Sequence, residues 1–214
     1  MDSEKFLAKF YRNERVVFLS DGVFAIVLTL LVLDLKVPQF HEKITNEVLW
    51  QSIKQMGTSF LSFLLSFMFI ASLWFTHDQL FRLFDKVDNT ILWLNNLLLL
   101  MICFIPFPTA LLGQYPDNGV GITMLGSIWV ITPILIYSMA RRAYNKNYLH
   151  DSIDPERYRM LTRISLLFSP ISAIPLTFSW NYPKVAFVYY IIRVMLSIFL
   201  VFLVKVKQIK KQST

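Results

Sequence analysis

The stretch ERVVFLSDGVFAIVLTLLVLDLKVP, Glu14 to Pro38, decides the class of this chain. It is apolar and long enough to cross a bilayer core as a helix of about 20 residues. Yet Ser20 and Asp21 stand inside its first turns. A carboxylate at that depth needs a partner, water or a packed neighbour, because hydrocarbon does not solvate it. Runs of similar length recur along the 214 residues, and the reading gives six spans: about Val16–Val37, Ile53–Phe75, Ile91–Leu112, Val120–Ala140, Leu161–Phe178 and Val185–Val204. The expected fold is therefore an all-α integral membrane protein, one transmembrane domain over residues 1–214.

Composition agrees with that class. The chain is 55% hydrophobic and only 16% charged, with a mean hydropathy of +0.51, which excludes an ordinary soluble domain. The first span is not expected to be a signal peptide: acidic as well as basic residues precede it, no small-residue cleavage site follows, and further spans do. Cys103 is the single cysteine and falls in the third span, so no intrachain disulfide forms.

The net charge of +7 is unevenly spread. With six spans, Lys5, Lys9, Arg12, Arg15, Arg82, Lys86, Arg141, Arg142, Lys146, Arg157, Arg159, Arg163 and the basic C-terminal tail share one side, against Lys36, Lys43, Lys54 and Lys184 on the other. The positive-inside rule then places both termini in the cytoplasm, and the cell (plasma) membrane is the expected location. The basic residues read as anchors at an anionic leaflet, with membrane lipid and no nucleic acid as partner.

Several features mark the connections and later spans. QFHEKITNEVLWQSIKQ (Gln39–Gln55) reads as a short outer-surface helix or loop. Ser59, Ser62, Ser66 and Ser72 favour close helix contacts through small side chains. Asn95 and Asn96 are suited to cap or to hydrogen-bond neighbouring helices, and the prolines of PFPT (Pro106–Thr109) imply a bend. Pro133 interrupts the fourth span, and Pro170 and Pro175 the fifth. Most of the five tryptophans fall near span ends, as interface anchors do, and Arg193 must pair, snorkel or face water. His77, Gln79, Asp85 and Asp88 do not form a metal site, no enzyme motif is present, and no cofactor is expected.

At about 100° per residue, Ile26, Leu30 and Leu33 share one stripe of the first helix, extended by Leu19, Val23 and Val37. Thr29 borders the stripe about 60° away and Asp21 lies about 140° away, so the two faces cannot both line one pore. The more coherent option puts the Ile26 stripe at the pore and makes Ser20 and Asp21 anchors of the inner end. Arg15 is about 240° round the helix from Asp21 and is poorly placed to pair with it, whereas Trp74, His77, Asn95 and Asn96 lie at comparable depth. Asp34, near the outer end, is placed to form a negative ring at an oligomeric mouth or to serve as an ordinary interfacial charge near Lys36. The polar intrusion alone leaves channel, secondary transporter and non-conducting scaffold open.

These residues resemble the signature of the transmembrane-protein-175 potassium channel family: an arginine, three residues, then FSD and an apolar continuation. Here the run is Arg15-Val-Val-Phe18-Leu19-Ser20-Asp21, and WFTHDQLFR (Trp74–Arg82) with LWLNNLLLLMICFIPFPTALLG (Leu92–Gly113) forms a second similar block. Leu19 departs from the usual phenylalanine, which bears on local packing.

The resemblance implies a passive, modestly selective potassium-permeable channel, assembled as a homotetramer whose first helices line the pore. It implies a hydrophobic constriction at Ile26 with Leu30 as the next layer and a selectivity role for Thr29; helical phase alone extends that face to Leu33. It also implies an anchoring set of Arg15, Ser20 and Asp21, partnered by Trp74, His77 and Asn95. No bound metal is implied beyond transient potassium ions, and proton leak is compatible with it. A secondary transporter or a scaffold is the alternative.

Overall fold

The computed structural model describes residues 2–41, 43–151, 153, 154, 158, 162 and 169–196, with side chains from Asn13 onward. It is all-helical. Among the described residues, four segments are long and apolar enough to cross a membrane: Asn13–Asp34, Gly57–Phe81, Asn89–Gln114 and Gly119–Asn145. The expected six-span fold is corrected to these four. The expected spans at 161–178 and 185–204 lie partly outside the described residues. Their described parts hold helical residues 162 and 169–173, the 3-10 turn Ile174–Thr177 and helical residues 185–196. Hydropathy reports a preference for lipid, not an unbroken helix, and Pro175 sits where α-helical winding gives way to the tighter turn.

Helix α1 (Asp2–Leu30) passes into a 3-10 turn, Leu31–Asp34, so regular winding stops four residues before Pro38. Its inward stripe is Val16, Ser20, Phe24, Val27 and Leu31, all buried at helical spacing. The expected outer segment is a helix, α2 (Asn46–Gln55), whose N-terminus is capped by the Thr45 hydroxyl accepting from the Val48 N–H. It leads through Met56 into α3 (Gly57–Phe81).

The third span is two helices, α4 (Asn89–Phe104) and α5 (Pro106–Gln114). Pro106 and Pro108 lack N–H groups, which breaks the ladder as PFPT implies. The Ile105 N–H takes the Ile102 carbonyl that Pro106 cannot reach, at 3.1 Å, and the Ile105 carbonyl accepts from both the Thr109 N–H at 3.2 Å and its hydroxyl at 2.8 Å. Small residues seat α5 on α3: Ser59 Oγ donates to the Gly113 carbonyl at 3.1 Å and Ser66 Oγ meets Thr109 Oγ1 at 2.6 Å. A Cβ on Gly113 would lie 3.0 Å from Ser62 Oγ and 3.1 Å from Ser59 Oγ, so the two helices approach to backbone distance.

Helix α6 (Gly119–Asn145) runs unbroken through Pro133 and forms the centre of the bundle. Trp129 is fully buried there, stacked on Phe69 at 4.0 Å and edge-on to Tyr190 at 4.9 Å, so it is not an interface anchor. The Arg193 guanidinium lies 4.7 Å above the same indole ring, a cation–π contact that lowers the cost of a cation at this place. Outside the spans, Asp88 caps α4 through the Ile91 N–H at 3.0 Å and pairs with Arg142 at 2.8 Å. Burial opposes the Asp88 charge, but the capping N–H groups and Arg142 outweigh it and hold the carboxyl below its ordinary value.

Candidate functional site

The polar residues at the inner part of α1 meet α3 and α4 in two adjoining groups. In the first, the Ser20 hydroxyl donates to the Val16 carbonyl at 2.9 Å and accepts from Asn95 Nδ2 at 3.0 Å. Asn95 Oδ1 faces His77 Nε2 at 2.8 Å. An amide oxygen only accepts, so His77 carries its proton on Nε2 in this arrangement. Ser20 and His77 are 0% exposed and Asn95 1%, so a broken link here leaves a polar group with neither partner nor water. The His77 ring stacks on Phe81 at 4.3 Å and tilts against Phe24 at 5.7 Å. In the second group, Trp74 Nε1 donates to Asp21 Oδ1 at 2.8 Å, on the exposed side of the same layer.

Five of the six residues expected to anchor the helix are thus brought together. Arg15 is not: it is exposed and makes no hydrogen bond or ion pair among the described residues. Phe24 and Phe81 were not singled out from sequence, although both sit four residues beyond a network member, Ser20 and His77, where a helix places the next side chain of the same face.

The other side of α1 is open. Ile26 is 59% exposed, Leu30 44% and Leu33 69%, and none of them is buried by the chain's own helices. Leu19 and Phe18 are exposed too, so the departure at Leu19 costs no packing within the chain. The Thr29 hydroxyl donates to the Ile26 carbonyl at 2.8 Å, which turns its lone pairs outward. Asp34 is half-buried at the end of the 3-10 turn, with Oδ2 enclosed and unpartnered. Among the described residues no group of three or more His, Cys, Asp or Glu is placed to hold a metal ion, and Cys103 is exposed on α4.

Fold and site together define a multi-span α-helical membrane protein with a polar anchor behind its first helix and an uncovered apolar stripe in front. The family described as "Endosomal/lysosomal potassium channel TMEM175" matches residues 15–106, the span that holds both groups. The crystal structure of a lysosomal potassium-selective channel TMEM175 homologue from Chamaesiphon minutus superposes with a TM-score of 0.62 at 33% identity, covering 86% of this chain and 98% of that one. The chain belongs to the TMEM175 potassium-channel family.

A potassium channel of Chamaesiphon minutus is 38% identical over 132 residues, 60% of this chain and 64% of that protein. One from a Chryseobacterium species is 28% identical over 200 residues, 90% of this chain and 93% of the other. The chain thus spans 64% of the length of the first relative, and 48% of a Streptomyces collinus potassium channel.

Vertebrate relatives correct the expected location. Proteins of Danio rerio and Homo sapiens, 30% and 28% identical over about half of this chain, are named endosomal/lysosomal proton channels. The plasma-membrane assignment with both termini cytoplasmic is therefore withdrawn. It rested on charge bias, which ranks the two faces of a bilayer and does not distinguish one cellular membrane from another.

Proposed function

We propose that the chain conducts potassium passively through a pore formed by a homotetramer, embedded in membrane lipid. The observation that carries this reading is the uncovered stripe of Ile26, Leu30 and Leu33 on the membrane helix whose most apolar window is only 22% buried. Four such stripes facing an axis form a hydrophobic constriction that controls flow by width and dewetting. Thr29 sits beside it with outward lone pairs that partly replace ion hydration, and Asp34 contributes negative charge toward the outer mouth. Behind the stripe, Ser20, His77 and Asn95, with Asp21 and Trp74, fix the rotation of α1, and Arg15 completes the signature from its exposed position. Potassium is the cation supported, because the bacterial relatives are named as potassium channels.

Purified protein in liposomes under a potassium gradient tests this. The wild type is expected to pass potassium, and Ile26→Asn and Ile26→Ala are expected to raise flux and alter the potassium-to-sodium ratio. No flux from a folded tetramer removes the channel reading. Unchanged conduction and selectivity in both variants removes Ile26 as the constriction. A second reading, proton permeation, is favoured by the names of the vertebrate relatives. A pH-sensitive dye inside the same liposomes separates it from potassium flow.

A further inference from the structure

Two polar side chains of the same layer are left facing outward. Asp21 accepts from Trp74 Nε1 through Oδ1, and its second oxygen has no donor among the described residues. Asn96 is exposed on α4, makes no hydrogen bond among the described residues, and stands in a stripe otherwise made of Trp93, Leu97 and Leu100, which are 72%, 46% and 59% exposed. Both lie inside membrane-spanning segments. A carboxylate oxygen and an amide facing hydrocarbon are each costly, and each supplies what the other lacks: one accepts, the other donates.

Their depth is matched. Asn95 donates to Ser20, so the chain neighbours of these two residues, Asn96 and Asp21, lie at one level of the bundle. Copies related by an axis along the membrane normal keep every residue at its level. Asn96 of one copy is therefore level with Asp21 of the next.

The surface around Asp21 also admits a second helix. Phe18, Ala25 and Asp21 fall about 80–140° to one side of Ile26 on the helical wheel, and Gly22 lies between them and the stripe. Phe18 is 82% exposed, and a Cβ added at Gly22 would meet nothing within 4 Å in this chain. A helix glycine that serves no contact in its own chain leaves room for close approach from another.

We propose that the Asn96 amide of one copy donates to the open Asp21 carboxylate oxygen of the neighbouring copy. The α4 face of each subunit thereby docks against the Phe18–Ala25 side of the next α1. Trp74 and the neighbour's Asn96 then hold Asp21 from both sides, and the rotation of each pore helix is set jointly by two subunits. This inference rests on the tetramer reading above.

Two chains of different length, each carrying Cys103→Ser, one with Asp21→Cys and the other with Asn96→Cys, are co-expressed and mildly oxidised. A disulfide-linked heterodimer containing one of each is expected, with none from either chain alone. No heterodimer in a preparation whose native mass still shows the assembled oligomer overturns the seam and leaves the tetramer standing. A monomeric wild type overturns both. Independently, Asn96→Leu is expected to weaken each subunit seam about tenfold, the loss of one hydrogen bond to a charged acceptor per seam. Asn96→Asp, which sets two carboxylates face to face, should weaken it further. The exchange Asn96→Asp with Asp21→Asn should recover most of the loss. The amide introduced at position 21 then donates to the carboxylate at position 96, while its oxygen still accepts from Trp74. An exchange no tighter than Asn96→Asp alone overturns the pairing.

Discussion

Helices α1 and α6 are both apolar enough to cross a membrane, with hydropathies of 2.6 and 1.9 in their most apolar windows, yet they live in opposite surroundings. Only 22% of the α1 window is buried by the rest of the chain, against 56% for α6. α6 is enclosed over most of its length, with Trp129, Ile122, Leu125 and Met139 nearly free of solvent contact and only a narrow strip including Ile131 and Ile134 exposed. α1 is held along one stripe and bare along the other. Hydropathy therefore ranks a helix for lipid but does not say whether protein, lipid or pore water covers it. The more apolar helix is here the less buried.

Large truncations sharpen this contrast most. Trp129→Ala removes a fully buried ring with two aromatic neighbours and is expected to destabilise the subunit by about 3–5 kcal/mol. Ile26→Ala should change subunit unfolding by less than about 1 kcal/mol, since the side chain already stands free of its own chain. Denaturant unfolding followed by circular dichroism, in detergent that keeps the chain monomeric, measures both. Equal losses would break the comparison.

An intermediate effect is expected where α1 is held. Asn95→Leu strips a donor from Ser20 and an acceptor from His77, both fully buried, and should cost about 1–3 kcal/mol. Arg15→Gln, on the bare side, should stay within about 0.5 kcal/mol in the same unfolding measurement.

A small, pH-dependent effect is expected where Asp88 caps α4. The folded Asp88 carboxyl titrates below its unfolded value of about 4, so its contribution is present at pH 7 and is lost as pH falls through the lower folded value. Both partners are partly exposed, so that contribution is below about 1 kcal/mol. The gap in melting temperature between wild type and Asp88→Asn should therefore close between pH 7 and pH 3. A gap that widens on acidification would reverse the sign of the argument.

Much of the site was legible in the sequence. Polar residues inside an apolar span demand partners, and Ser20, Asp21, Trp74, His77 and Asn95 have the donor and acceptor types to satisfy one another at a common depth. Helical phase separated Ile26 from Asp21. The roles proposed for the stripe come from the family signature and not from periodicity, because a leucine stripe looks the same in a core, at a lipid face or in a pore. Arg15 shows the opposite limit: membership in a signature does not place a side chain in a network within its own subunit.

By itself the sequence determined that this is an all-helical membrane chain, that Ser20 and Asp21 lie on a different side of α1 from Ile26, and that the PFPT run bends its span. Each follows from local chemistry: transfer of side chains into lipid, a period of 3.6 residues, and a ring without an N–H. Only the tertiary structure decided that Trp129 belongs to the core rather than the interface. It also decided that Pro133 leaves α6 continuous, that four rather than six described segments are long enough to span, and that the Ile26 stripe is bare. These depend on which neighbours fill the space around a residue, and no property of the residue alone carries that information.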